Sequence, residues 1–385
     1  MAEQMQLILV VDNSRAVTGA LNAMRTTTNA LRKAGTLNFE YILPTGSTGR
    51  AVLEADGYLV YELPFVELSR RKADLLTYFP MLLVNGWRLY RLAYQREARF
   101  IHLNDFYNLT GYVARLFSLG RVRVLTHVRF LPQTQVQPLA RVWRWLAETF
   151  ASQVICVSEA VRRYFSPSGK VQIVYDPLPG IERYAVPMRS ALQADGAVHL
   201  LYLSNFIAGK GQNFALEAFA IAYAQQPSLR LHFAGGDMGM KKNRAYKQQL
   251  EARAVELGLS EVITFGGFVA DVEAAIKQAD IMLNFSESES FSLTCLDTLF
   301  YGTPLIASDC GGPAELFEHD KSGLLVPNRD VPAMAVAIGR LAADEPLRRQ
   351  FAQAGRAYVR HKFRPATTFE RLEAIYVVLA EATLA

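Results

Sequence analysis

The sequence predicts an α/β protein made of two doubly wound parallel domains in tandem. Three observations lead there. At 385 residues the chain exceeds the length at which a single hydrophobic core stops growing. Short β-branched or leucine-rich runs alternate with helical patterns almost throughout, as parallel sheets with crossover helices require. The alternation is interrupted once, after Tyr175, by a polar stretch holding three prolines, YDPLPGIERYAVPMRSALQADGA.

In the first series the strand candidates are LILVV (7–11), FEYIL (39–43), FIHL (100–103), VLTHV (124–128) and VICVS (154–158), most of them separated by helical patterns. The second series comprises VHLLYLS (198–204), LRLHFAG (229–235), VITFGGF (262–268), IMLNFS (281–286) and PLIAS (304–308). These runs divide the chain into an amino-terminal Rossmann-like domain at 1–180, a linker at 181–197 and a carboxyl-terminal domain at 198–366. A last helix at 367–385, with Phe369, Leu372, Ile375 and Leu379 at helical spacing, can pack on either domain and is grouped with the first. Tandem sheets of this kind are expected to face each other across a ligand cleft at their carboxyl strand ends.

Composition is 51% hydrophobic and 20% charged, which excludes disorder. The three cysteines, Cys156, Cys295 and Cys310, sit in apolar surroundings without metal-ligand spacing, so a reducing, cytoplasmic setting is expected. The apolar run at 75–87 contains Pro80 and Gly86 and is too short to span a bilayer, and the first residues lack the features of a signal peptide. Charge is uneven. Residues 1–180 carry 21 Lys and Arg against 13 Asp and Glu, a net +8, while the remainder nets −3. The basic residues cluster with Trp, Tyr and Leu in SRRK (69–72), WRLYRLAYQREARF (87–100) and RVWRW (141–145). Such stretches suit an anionic membrane surface or an acidic ligand, and equally a solvated helix face.

Absent motifs narrow the chemistry. No G-x-G-x-x-G follows the first strand, and AGKGQ (208–212) lacks the ends of a P-loop, which disfavours a plain dehydrogenase or NTPase. The sequence has no H-E-x-x-H, C-x-x-C, D-x-D or G-x-S-x-G, so neither a metal site nor a serine elbow is indicated. The informative stretch is SESESFSLTCLD (286–297), where a strand gives way to a helix. A helix amino end exposes unpaired N–H groups and positive partial charge, a seat for phosphate. Ser292 can equally be a plain N-cap and Glu289 a charge favouring the dipole.

Its companions add weight: YLSNFIAGKGQNFALEAF places Lys210 shortly after a strand, and FAGGD (233–237) and FGGFVADV (265–272) put glycine pairs at strand ends. Downstream follow YGTPLIASDCGGPAEL and HDKSGLLVP. This succession resembles the donor domain of the retaining glycosyltransferases of family 4, which have the two-domain GT-B fold and an E-x7-E motif followed by G-T-P-V-I and G-G-x-x-E. The resemblance covers roughly 198–327. It implies that Lys210 meets a donor diphosphate and that Glu289 contacts hydroxyls of the transferred sugar. It further implies that the backbone from Phe291 through Ser292 to Leu293 cradles the distal phosphate, with Ser290 also in the donor site, that Asp297 holds the ribose, and that the chain around Val269 faces the base. Asn205 stands where many members have an arginine, Asp297 replaces the second glutamate, and Ser290 and Ser292 replace two glycines.

In the amino half the resemblance is looser. Gly19 alone takes the place of the family's usual glycine pair, and LTHVRF (125–130) would bring His127 near the donor sugar, although a histidine at a strand end is more often a packed core residue. The implied activity is transfer of a hexosyl group from a UDP- or GDP-sugar to a hydroxyl acceptor, carbohydrate or lipid-linked, without metal or other cofactor and without nucleic acid. Cell-surface glycan or glycolipid synthesis, with peripheral attachment to the inner face of the cytoplasmic membrane, is the expected setting. An epimerase or phosphorylase of the same architecture, and a non-catalytic sugar-nucleotide-binding protein, are the alternatives.

Overall fold

The computed structural model describes residues 6–35, 37–66, 72–178 and 196–381. Contacts divide the chain into two compact units, one comprising Met1–Pro177 with Pro365–Ala385, the other Leu178–Arg364. Of the sequence features above, most of the 181–197 linker and residues 69–71 of SRRK lie outside the described residues.

Unit 1 is built on a seven-stranded sheet with β1 (Gln6–Val11), β2 (Leu37–Pro44), β3 (Val60–Leu63), β4 (Phe100–Leu103), β5 (Arg123–Val128), β6 (Gln153–Cys156) and β7 (Val171–Ile173). The strands lie in the order β3-β2-β1-β4-β5-β6-β7, and every pairing is parallel. The crossovers run through α1 (Gly19–Ala34), α2 (Gly49–Ala55), α3 (Lys72–Gln95), α4 (Thr110–Phe117), α5 (Gln137–Phe150) and α6 (Glu159–Arg162). Strands buried on both faces read as short, mostly apolar and β-branched runs, which is why β1, β4 and β5 are legible in the sequence despite the histidines of the last two. The sequence reading misses β3 and β7. They are edge strands of four and three residues, too short for a periodic signal.

Unit 2 carries β8 (Val198–Leu203), β9 (Leu229–Ala234), β10 (Ile263–Phe265), β11 (Ile281–Asn284), β12 (Leu305–Ser308) and β13 (Leu324–Val326), ordered β10-β9-β8-β11-β12-β13 and again all parallel. Its helices are α7 (Gln212–Gln225), α8 (Lys241–Glu256), α9 (Val272–Gln278), α10 (Leu293–Tyr301), α11 (Val331–Ala343) and α12 (Glu345–Lys362). Strand β10 is shorter than the run 262–268 suggests, because the glycine pair of VITFGGF leaves the sheet. The edge strand β13 was likewise not anticipated.

The last helix, α13 (Pro365–Glu381), belongs to unit 1, where Leu372, Ile375, Tyr376 and Leu379 are buried in the core formed with β1, β2 and α1. Tyr376 adds a hydrogen bond at 2.6 Å to Nδ1 of His102 on β4. Both units are thus open twisted sheets whose strand order reverses once, between β1 and β4 and between β8 and β11. Ligands of such sheets bind outside the carboxyl ends of the strands at the reversal.

Candidate donor site

In unit 2 the loop leaving β8 and the turn leaving β11 meet at that reversal. The first contains Lys210 and the second Glu289, and the Nζ of Lys210 lies 2.7 Å from Oε1 of Glu289. The same carboxylate oxygen accepts from the Ser286 hydroxyl at 2.9 Å. Side-chain exposures of 33% and 15% leave the pair reachable by a ligand. Burial acts to lower the Lys210 pKa, but the charge and hydrogen bond of Glu289 outweigh it, so the ammonium is held above its ordinary value and is charged at neutral pH.

The loop is fixed by its backbone. Gly211 has φ 79°, and a Cβ there would lie 1.9 Å from the carbonyl oxygen of Phe285, so the two segments touch main chain to main chain. Glu287 N–H donates to the Gly209 carbonyl at 2.9 Å, while Tyr202 donates to the Lys210 carbonyl and accepts from Phe285 N–H at 2.8 Å. Ser286 is tied in turn to β12, its carbonyl accepting from Ser308 Oγ at 2.7 Å.

The 289–292 turn is braced from behind by the glycine pair 311–312. Glu289 bridges Gly311, and Gly312 N–H donates to the Glu289 carbonyl at 2.8 Å. A Cβ on Gly312 would lie 2.3 Å from Phe291 Cα and 2.4 Å from the Ser290 carbonyl oxygen. Phe291 turns inward and is buried, packing edge-on to Phe363 at 5.5 Å. Ser292 takes φ 74°, left-handed backbone that favours glycine, and caps α10 by accepting from Cys295 N–H at 3.4 Å. Leu293 then opens the helix, whose unpaired N–H groups lie in the turn that also carries Glu289.

One turn further along α10, Asp297 is half-buried, and its carboxylate has no hydrogen-bond or ion-pair partner among the described residues. Burial raises its pKa to about 7. Asn205 does not aim a charge at this site. Its Oδ1 accepts from Gly236 N–H at 3.1 Å and its carbonyl from Gln212 Nε2 at 2.9 Å, stapling the ends of β8 and β9 to α7. Val269 is half-buried in the segment between β10 and α9. Glu287 is an anchor: its carboxylate pairs with Arg329 and its carbonyl accepts from Asn328 Nδ2 at 2.9 Å.

The sequence analysis therefore finds Lys210, Glu289 and the 290–293 turn, which the structure brings together. It misses Tyr202, Ser286 and the bracing role of Gly312, whose parts in the site are long-range contacts that leave no local pattern. Two predicted residues lie in unit 1. Gly19 is exposed as the first residue of α1, after Thr18, whose hydroxyl accepts from Leu21 N–H at 3.2 Å. His127 is buried at the end of β5, with Nδ1 3.3 Å from Nε2 of His102 and 3.4 Å from Nη2 of Arg129. Desolvation and the Arg129 charge hold both histidines well below their ordinary pKa, so the pair is neutral. Among the described residues no group of three or more His, Cys, Asp or Glu is placed to hold a metal ion. All three cysteines are free and buried, and burial pushes the Cys156 and Cys310 thiols up to about 12.

A lysine–carboxylate pair and a helix amino end thus stand together at the reversal of a doubly wound sheet, and the two Rossmann-like units are those of the GT-B architecture. Residues 188–358 match the family described as Glycosyl transferases group 1. Among curated relatives, a putative glycosyltransferase EpsD of Bacillus subtilis is 28% identical, the match covering 54% of this chain and 55% of the relative. A D-inositol 3-phosphate glycosyltransferase of Thermobispora bispora is 29% identical over 66% of this chain and 60% of its own length. The chain spans about half the length of the curated relatives it matches. Among solved structures, Anabaena Alr3699/HepE in complex with UDP-glucose shares the fold with a TM-score of 0.79 at 20% identity, over 97% of this chain and 99% of that one. A sucrose-phosphate synthase from Thermosynechococcus elongatus shares it with a TM-score of 0.78 at 22% identity, covering 98% and 100%. Among the described residues no helix is long and apolar enough to cross a membrane.

Proposed function

We propose that the chain is a retaining glycosyltransferase of family 4 that moves a hexosyl group from a UDP- or GDP-sugar to a hydroxyl acceptor in glycan or glycolipid synthesis. The observation that carries this reading is the Lys210–Glu289 pair set beside the amino end of α10. Lys210 and the helix N–H groups take up the negative charge that grows on the departing diphosphate, with no metal required. Glu289, held by Ser286, accepts hydrogen bonds from the sugar hydroxyls. Asp297 supplies an unpartnered carboxylate for the two ribose hydroxyls, and the chain around Val269 meets the base. The bond from the anomeric carbon to the phosphate oxygen breaks as the bond to the acceptor oxygen forms on the same face. The acceptor proton passes to the leaving phosphate oxygen, so no carboxylate nucleophile is needed.

Lys210→Ala and Glu289→Ala should each lower transfer at least about 100-fold, the cost of removing one charge-stabilising contact from a transition state. Product formation from radiolabelled nucleotide sugars in a broad acceptor screen measures this. Near wild-type rates in both variants would refute the assignment. We further propose that unit 1 attaches peripherally to the cytoplasmic face of an anionic membrane through α3, a point that vesicle flotation tests.

A further inference from the structure

Lys210 and Glu289 stand on loops that leave different strands, β8 and β11, 79 positions apart in sequence. An ammonium on a flexible four-carbon stem meets one carboxylate oxygen reproducibly only where both main chains are held. One side chain touches both. The hydroxyl of Tyr202, on β8, donates to the carbonyl oxygen of Lys210 and accepts at 2.8 Å from the N–H of Phe285, the first residue past β11.

That hydroxyl is aimed by its ring. Tyr202 is 1% exposed, and its ring packs against Phe233 at 5.6 Å and Phe285 at 6.4 Å between centroids, so the rotamer is fixed by packing. Burial holds the phenol well above its ordinary pKa, so it keeps its proton, and with it the bond to Lys210, at any working pH. Phe285 is fully buried, and its N–H would be left unpaired without that hydroxyl. The Ser286 hydroxyl, which donates to Oε1 of Glu289 at 2.9 Å, lies 3.4 Å from the same Lys210 carbonyl. The Lys210 carbonyl therefore sits between a strand tyrosine and the serine that holds Glu289. The bond from Glu287 N–H to the Gly209 carbonyl ties the two loops a second time, so loss of the tyrosine hydroxyl would shift Lys210 rather than part the loops.

We propose that Tyr202 is a positioning residue of the donor site: its hydroxyl holds the loop of Lys210 in register with the turn of Glu289, so that the pair stands formed before a donor arrives. The inference deepens the glycosyltransferase reading, on which its consequence for a diphosphate rests, whereas the brace itself rests on contacts within unit 2. A cation already in place meets a diphosphate without the cost of ordering a free lysine side chain. A tyrosine that served the core alone would contribute only its ring, and phenylalanine would replace it without effect on Lys210.

The first test needs no ligand. Trace acetylation with acetic anhydride, read lysine by lysine by mass spectrometry on the full chain, reports the free amine, and an ion-paired ammonium reacts slowly. In Tyr202→Phe the rate at Lys210, whose side chain is 33% exposed, is expected to rise relative to the exposed Lys33 and Lys241. The expected rise is about threefold or more, the change in free amine that half a pKa unit gives. Glu289→Gln, which removes the partner charge, is the control in which the rate must rise. 4-Aminophenylalanine at position 202, which restores a group that donates and accepts, should return the rate to that of wild type. Calorimetric melting of each sample shows that it is folded. An unchanged Lys210 rate in Tyr202→Phe, failure of 4-aminophenylalanine to restore it, or a Tyr202→Phe chain that no longer melts cooperatively would each overturn the proposal. So would an unchanged rate in Glu289→Gln, since no pair would then exist to be held. On the same samples UDP, GDP and ADP are titrated, and Tyr202→Phe is expected to weaken whichever binds the wild type about fivefold or more. Unchanged affinity beside a raised labelling rate would overturn the role in the donor site. Absence of diphosphate binding by the wild type would strike the donor-site reading and leave the labelling result to decide the brace.

Discussion

Asp297 illustrates how one side chain can carry both a cost and a use. Its carboxylate is half-buried without a partner and titrates at about 7, far above an ordinary aspartate, because burial penalises the charge. The sign of the consequence follows from linkage. A carboxyl whose folded pKa exceeds its unfolded value favours the folded state at low pH, and that contribution is lost as pH rises through about 7. Asp297→Asn should therefore leave thermal stability unchanged below about pH 4 and raise it above pH 7. Melting curves across the pH range check this, and an identical pH profile in the variant would show that the residue is not strained. The E-x7-E-like spacing made Glu289 and Asp297 legible in the sequence. It could not show that Glu289 is already paired while Asp297 is not, since pairing depends on Lys210, 79 positions away.

At the scale of elements, the central strands and the β11-to-α10 junction were legible because buried parallel strands are short, mostly apolar runs and a serine-capped helix start is a local signal. The edge strands β3, β7 and β13 were not, being three or four residues long. Helix α3 was legible only as composition. The structure shows that its face with Tyr78, Asn85 and Leu89 is buried, while Leu76, Phe79, Leu83, Trp87 and Tyr94 are exposed at helical spacing. Arg88 and Arg91 stand exposed on the same helix, with Arg91 over the Trp87 ring at 5.0 Å. An apolar stripe edged by cations is what the proposed attachment to an anionic lipid surface requires, apolar area to bury plus positive charge. In flotation with anionic vesicles at low salt, the protein should rise with the lipid, and Phe79→Glu with Trp87→Glu should leave it at the bottom. Flotation of the double variant equal to wild type, or none by either, would contradict the role of α3.

At the scale of the whole molecule, the chain returns at its end to the unit in which it began. Helix α13 follows unit 2 in sequence, yet it fills the core of unit 1 with Leu372, Ile375, Tyr376 and Leu379. Burying four such side chains contributes about 6 kcal/mol or more, comparable to the full stability of many domains. A chain ending at Arg364 should consequently lose the melting transition of unit 1 while keeping that of unit 2, and calorimetry would resolve the two. Two unaltered transitions would show that α13 is dispensable. The apolar spacing of this helix was legible, but its destination was not, because the same stripe fits either core.

The most direct test of the donor site is a calorimetric titration of UDP, GDP and ADP into the wild-type protein, Lys210→Ala and Asp297→Ala. The geometry predicts that at least one diphosphate binds the wild type and that each variant binds it about tenfold or more weaker, as loss of a charged contact requires. Absence of binding to the folded wild type, or unchanged affinity in both variants, would contradict it.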